Sequence, residues 1–489
     1  MGKLVGIDLG TSSVKAVLFD KDGAQLNGVS YDYEYEIKHG DWVEMDPMVY
    51  WHATQFVLKS LFDNSHYNQK SVVGIGVTSQ GETLITLDSN GNPVGKAIVW
   101  LDNRAKEEAN LIKQNFSQER IYKKTGQNEI TPCWTACKIL WIRRNEPDRF
   151  YKTKKFLLIA DYIIYKLTGE FITDHAHNPS TLYYDIIKNR WWDDMLNYIK
   201  ISPEFLPKLN YSGCPVGVLK KFGFNEHACV TTCPIDQVTG ALGAGNLSSA
   251  TLTETTGSAM AICLTTKNPF FDPKFRFCLN NHVEPGLFVL LPWIPTGGII
   301  LKWFKNILGN RVSYEKLEKE AGSVDYQTSD LIVLPHYNGA YSPIAQANAK
   351  GVIHGLTLEH TRGHLTLAIM EAIAFSLKEN LNMLLQLDFK IEDIVSLGGG
   401  ANSFLWLNIK AATLNMPIKT LNVKEVTCLG AALAASVASG IHSSFSEAVK
   451  SMVKMGRTVV PDPDRASVYL EKYNRYSKVS MELLKTFKE

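Results

Sequence analysis

The segment Asp8-Leu9-Gly10-Thr11-Ser12-Ser13-Val14-Lys15 brings a carboxylate, a small hydroxyl-bearing turn and an amine close together in the chain. A polyphosphate needs N–H donors, hydroxyls and a cation. A Gly-Thr-Ser turn supplies the first two, because small residues let the backbone approach the oxygens. Lys15 adds positive charge. Asp8 is suited to hold Mg²⁺, directly or through water, since that ion prefers oxygen ligands. The same residues also suit a plain hairpin turn, so this segment alone leaves both readings open.

Other candidate chemistry is weaker. Residues 91–97 (GNPVGKA) are one spacer short of a Walker loop and end in Ala. His360 and His364 are four apart but lack the Glu a zincin places between them, and they read as solvent-exposed polar positions. The eight cysteines, at 133, 137, 214, 229, 233, 263, 278 and 428, include no C-x-x-C pair and no zinc spacing. They are expected as reduced, mostly buried thiols, with Cys133 and Cys137 on one helix face.

Strand-like and helix-like patterns alternate along the chain, which predicts an α/β fold. Residues 3–8 and 14–20 are β-rich runs on either side of the Gly-Thr-Ser-Ser turn. Asp46-Pro47 reads as an N-cap with proline at the first helical position, opening a helix to about residue 62. Residues 72–77 and 83–87 are further strands. The second half repeats the opening: residues 250–254 are β-rich, Thr255-Thr256-Gly257-Ser258 is a polar turn, and residues 259–264 are β-rich again. This strand–turn–strand similarity suggests a duplicated domain. Apolar residues at helical spacing predict a long helix over 364–387. The strand 394–397 runs into Gly398-Gly399-Gly400, with Asn402 as N-cap of a helix from about residue 403. An alanine-rich helix is expected over 428–439, and a charged one over 466–488.

Composition sets the outer limits. The chain has 489 residues, 51 Lys+Arg against 49 Asp+Glu, 45% apolar and 20% charged residues. That rules out global disorder. A net charge of +2 argues against a broad nucleic-acid or anionic-membrane surface. The opening MGKLVGIDLG is not a secretory signal, and the longest apolar candidate, residues 287–301, is broken by two prolines and shorter than the roughly 20 residues a bilayer demands. A soluble, cytoplasmic chain without nucleic-acid or membrane partners is expected.

Several pieces together resemble one family. Gly351-Val352-Ile353-His354-Gly355-Leu356, then His364-Leu365, then Ala368-Ile369-Met370-Glu371 fit the second sequence pattern of the FGGY carbohydrate kinases. Cys133-Trp134-Thr135-Ala136-Cys137-Lys138-Ile139-Leu140-Trp141-Ile142-Arg143-Arg144-Asn145 resembles the first pattern at every constrained position except Cys133. The opening DLGTSSVK, Ile235-Asp236-Gln237, Thr256-Gly257-Ser258 and Gly398-Gly399-Gly400 follow the family order over roughly residues 3–445.

The resemblance implies two actin-like (ribonuclease H-like) ATPase domains with an interdomain cleft, here 1–245 and 246–489. The first would hold the sugar and the second ATP. By the same resemblance Asp8 would hold Mg²⁺, while Gly10, Thr11, Ser12 and Lys15 face the transferred phosphoryl group. Gly257 and Ser258 form the matching phosphate turn, and Gly298, Gly399, Gly400 and Asn402 border the nucleotide. Asp236 is the expected catalytic base, although it also suits a helix N-cap. Gln80, Glu82, Trp100, Trp134, Asp236 and Gln237 are the expected acceptor-binding residues, although either tryptophan equally suits an ordinary buried aromatic.

Ser79-Gln80-Gly81-Glu82-Thr83 resembles the Gln-Arg-Glu-Thr of glycerol kinases, with Gly81 in place of Arg, which counts against glycerol, while the Met-His pair usual in xylulokinases is absent and Asp236-Gln237 resembles glycerol kinases. The expected reaction is ATP-dependent phosphorylation of a small sugar or polyol, with a ketopentose such as xylulose favoured. The alternatives are a glycerol- or gluconate-type acceptor, or a nucleotide-switched binding protein on the same fold. Since several members of the family assemble, a homodimer is also among the expectations.

Overall fold

The computed structural model describes residues 2–63, 66–219, 223–309 and 312–487. The chain forms two compact units. The first comprises Met1–Leu247, Thr265–Leu290 and Glu425–Lys454; the second comprises Ser248–Leu264, Leu291–Lys424 and Met455–Glu489.

In the first unit a six-stranded sheet runs in the spatial order Pro215–Val218, Cys229–Ile235, Val72–Ser79, Lys3–Leu9, Ser13–Phe19, Gln25–Asp32. Lys3–Leu9 pairs antiparallel with Ser13–Phe19 and parallel with Val72–Ser79, which in turn pairs parallel with Cys229–Ile235. These parallel strands are almost wholly buried, as their near-continuous apolar sequences require. Val5, Ile7, Leu9, Val14, Ile75 and Val77 share one core with Tyr50, Val57 and Leu58 of the helix Pro47–Ser60. That helix opens as its sequence predicts: the Asp46 carboxylate accepts the Met48 N–H at 2.8 Å.

Glycines on the strands admit a helix at unusually short range. A Cβ added at Gly6 would lie 1.8 Å from the carbonyl oxygen of Cys428, and one at Gly76 would lie 1.9 Å from that of Ala431. The helix Val426–Ala438 therefore rests directly on the sheet backbone, and its alanines keep it slim enough to do so. It starts two residues earlier than its sequence pattern indicates.

The second unit repeats the arrangement. Thr251–Thr256 pairs antiparallel with Met260–Thr266 and parallel with Asp393–Leu397, followed by Ile418–Leu421 and Met455–Val459. The strand–turn–strand similarity at the sequence level thus corresponds to one sheet motif used twice. The long helix spans Arg362–Gln386 and is capped by Thr361, whose hydroxyl meets His364 Nδ1 at 2.9 Å. His360 and His364 are half-buried with rings 5.3 Å apart, not the exposed polar pair expected. Asn402 closes a short 3₁₀ turn, Gly399–Asn402. The N-cap of the helix Phe404–Leu414 is Ser403, whose hydroxyl accepts the Trp406 N–H, because Ser403 has the extended backbone a cap requires. The last helix is Pro463–Lys485; Lys488 lies outside the described residues.

Residues 287–301 divide into Phe288–Leu291, Trp293–Ile294 and the start of the helix Ile299–Ile307. Among the described residues no helix is long and apolar enough to cross a membrane. All eight cysteines are free thiols, with Cys214 exposed and Cys133 half-buried. Cys133 precedes the helix Thr135–Asn145 instead of sharing a face of it with Cys137.

Candidate active site

In the first unit, register brings the candidate residues to the carboxyl ends of three adjacent parallel strands. Leu9 and Ile235 both stand opposite Ser79, so three strands end at the same level. The segments that follow them carry Gly10–Ser13, Gln80–Glu82 and Asp236. Asp8, one residue before the end of its strand, has its Oδ1 atom buried with no hydrogen-bond partner. Burial pushes this carboxyl up to about 6, against the opposing influence of Lys15. Lys15 stands directly across the antiparallel pair from Asp8 and donates to Glu425 Oε2 at 2.7 Å. Partial burial works against its charge, but the Glu425 carboxylate outweighs this and holds the ammonium above its ordinary value. The turn between the strands is closed by the Gly10 N–H donating to Ser13 O at 2.9 Å, and the Tyr33 hydroxyl donates to Gly10 O.

Asp236 is the first residue of the helix Asp236–Gly243. Its Oδ1 accepts the Gln237 N–H at 2.8 Å. Burial pushes this carboxyl well above the ordinary range, and the negative charges of Asp8 and Glu82 add to the effect. The N-cap position itself is Ile235. Gln80 is buried; its N–H donates to Leu9 O at 2.9 Å, while neither end of its amide has a well-aligned hydrogen bond.

Glu82 is also buried and sits in the left-handed region, with φ of 55°. Burial raises its carboxyl above the usual value, while the Ser180 hydroxyl and the Lys138 ammonium restrain the rise. Lys138, fully buried, donates to Glu82 O at 2.8 Å and Val99 O at 2.9 Å, which ties the Glu82 turn to the one that carries Trp100. Burial draws that ammonium down to about 8. The Trp100 indole N–H donates to Thr11 Oγ1 at 3.0 Å, so this side chain touches the Gly10–Ser13 turn. Trp134 donates its indole N–H to Glu129 O at 2.9 Å.

In the second unit the glycine segments collect around Thr256. The Gly298 N–H donates to Gly257 O at 2.7 Å, and the Gly297 N–H donates to Ser258 O at 2.8 Å. A Cβ at Gly298 would fall 2.9 Å from Gly257 O, and one at Gly400 would fall 2.8 Å from Thr256 Cβ. By contrast, a Cβ at Gly257 would meet nothing nearer than 3.8 Å, and one at Gly399 nothing nearer than 4.0 Å. Gly298 and Gly400 therefore permit packing, whereas Gly257 and Gly399 leave room for something else. Gly257, Ser258, Gly298, Gly399, Gly400 and Asn402 belong to this one cluster of turns.

Sequence reasoning missed several members of these sites. Glu425 lies 410 residues from Lys15 and reaches it only because the strand glycines admit the helix Val426–Ala438. Glu254 and Lys410 form a fully buried pair beneath the Gly257 turn. Their signal is a glutamate inside a β-rich run and a lysine inside an apolar helix.

Residues 3–243 match the N-terminal domain of the FGGY family of carbohydrate kinases, and residues 253–439 match its C-terminal domain. The xylulose kinase of Haemophilus influenzae is 30% identical over 459 residues, covering 89% of this chain and 90% of that protein. The crystal structure of a xylulose kinase from Lactobacillus acidophilus superposes with a TM-score of 0.91 at 25% identity, covering 100% of this chain and 99% of that one. A gluconate kinase from the same organism gives a TM-score of 0.90 at 25% identity, over 99% of both chains. The chain belongs to the FGGY family of carbohydrate kinases and is a sugar phosphotransferase.

Proposed function

We propose that this chain transfers the γ-phosphoryl group of ATP to a hydroxyl of a ketopentose, with xylulose the favoured acceptor. The observation that carries the reading is the shared register of Leu9, Ser79 and Ile235, which sets Asp8, Gln80, Glu82 and Asp236 at the carboxyl ends of three adjacent parallel strands. Its support from outside is the run of relatives and solved structures that bear the name xylulose kinase.

In this reading Gln80, Glu82, Trp100, Trp134 and Gln237 bind and orient the sugar. The buried Gln80 amide, which also meets the Tyr50 hydroxyl, has further donor and acceptor capacity to give to sugar hydroxyls. Asp236 takes the proton of the attacking hydroxyl. A carboxylate displaced upward by burial and by neighbouring negative charge is a stronger base than an exposed one, and its place on a helix end holds it still. Gly10, Thr11, Ser12 and Lys15 face the transferred group. Gly257, Ser258, Gly298, Gly399, Gly400 and Asn402 take the nucleotide, for which the open space at Gly257 and Gly399 leaves room. The buried, unpartnered Oδ1 of Asp8 fits Mg²⁺, which when bound neutralises phosphate charge.

A coupled assay tests the acceptor. Purified protein with ATP and Mg²⁺ is offered pentuloses, hexuloses, polyols and gluconate. ADP release that depends on a pentulose supports the assignment. Release with gluconate alone moves the acceptor to a sugar acid, and release with none of them removes the reading.

A further inference from the structure

We propose that the buried Glu254–Lys410 pair positions the Gly257–Ser258 turn, and so controls nucleotide affinity without touching the nucleotide. The inference rests on the reading that this turn takes the nucleotide. Glu254 lies on the strand Thr251–Thr256 and Lys410 on the helix Phe404–Leu414; both side chains are completely buried. The Lys410 ammonium donates to Glu254 Oε1 at 2.6 Å and to Thr256 Oγ1 at 2.9 Å. The Thr256 hydroxyl donates in turn to Glu254 Oε2 at 2.7 Å. Ser396, directly opposite Glu254 in the parallel pairing, donates its hydroxyl to Glu254 Oε1.

Thr256 is therefore held from two sides by opposite charges, and the next residue in the chain is Gly257. The third glycine segment leans on the same side chain: a Cβ at Gly400 would lie 2.8 Å from Thr256 Cβ and 3.4 Å from Lys410 Nζ. A buried ion pair is a poor device for stability, since well-packed apolar residues serve as well or better. Its directional bonds can fix one threonine, and with it both turns that rest on that threonine. Removal of one charge leaves the other unpaired in a dry interior, where it draws its surroundings out of place.

The test uses Lys410→Met, Glu254→Gln and the double variant Glu254→Leu/Lys410→Leu, with KM for ATP, KM for the sugar and thermal unfolding measured on each. Each single substitution is expected to raise KM for ATP roughly tenfold or more, the scale of one lost hydrogen bond to a charged group. KM for the sugar is expected to stay near its original value. The double variant should regain unfolding temperature, because both charges leave together, yet keep the raised KM for ATP, because Thr256 then has neither partner. Folded single variants with an unchanged KM for ATP, or with both KM values rising in step, would overturn the proposal.

Thr256→Val keeps the ion pair and removes only its tie to the turn, so it carries the test if the charge variants do not fold. Gly257→Val, which adds bulk where the fold has space, tests the underlying assignment separately. An unchanged KM for ATP in that variant removes the turn from nucleotide binding. A raised value there, with none in Thr256→Val, removes only the positioning role.

Discussion

Gly81 shows how much a single residue decides. A Cβ at this position would lie 2.7 Å from Ile235 Cδ1 and 3.5 Å from Ser180 Oγ. Gly81 stands where glycerol kinases, by resemblance, carry an arginine. Here the Ile235 side chain occupies that direction. Gly81→Arg should therefore reduce kcat/KM for the natural sugar by roughly tenfold or more, since overpacking displaces neighbours by amounts that catalysis does not tolerate. It should not create a glycerol kinase. Adding Ile235→Ala should return part of the lost activity. Steady-state kinetics on the single and double variants check this, and full activity of Gly81→Arg would show that Ile235 does not restrict the site.

Elements set the scale at which the residues meet. The helix Val426–Ala438 comes against the sheet backbone at Gly6, Gly74 and Gly76. Gly76→Ala would drive a methyl group to within 1.9 Å of Ala431 O. It should cost about 1–3 kcal/mol of stability, and it should lower activity as Glu425 moves away from Lys15. Denaturant unfolding reads the first effect and kcat the second; unchanged stability would contradict the close packing.

Asp161 accepts the Leu158 N–H at 2.9 Å at the start of the helix Ile159–Thr168. Burial pushes this carboxyl from its ordinary 3.8 up to about 7. A carboxyl raised on folding binds more protons in the folded chain. Its contribution is thus fully favourable below its unfolded value and is lost as pH climbs through about 7. Asp161→Asn retains an acceptor for the cap, and should flatten the decline of stability between those two pH values. An unaltered pH–stability curve would show that Asp161 does not carry the effect.

At the scale of the whole molecule, the duplicated α/β plan was legible because its two turns keep the same small residues between β-rich runs. Asp46 and the Gly398–Gly400 segment were legible for similar local reasons. What was not legible depends on approach across long separations. Nothing local links Glu425 to Lys15 or Glu254 to Lys410, and nothing local shows that Ser403 and not Asn402 takes the cap. The return of Glu425–Lys454 to the first unit is likewise a product of packing against strand glycines.

In the proposed reaction Asp236 takes the proton from the sugar hydroxyl that attacks ATP. The direct measurement is the turnover of Asp236→Asn with saturating ATP, Mg²⁺ and pentulose, alongside its unfolding temperature. A fall of roughly 10²–10⁴ in kcat is expected, with unfolding unchanged. An asparagine variant that turns over at the original rate would contradict it.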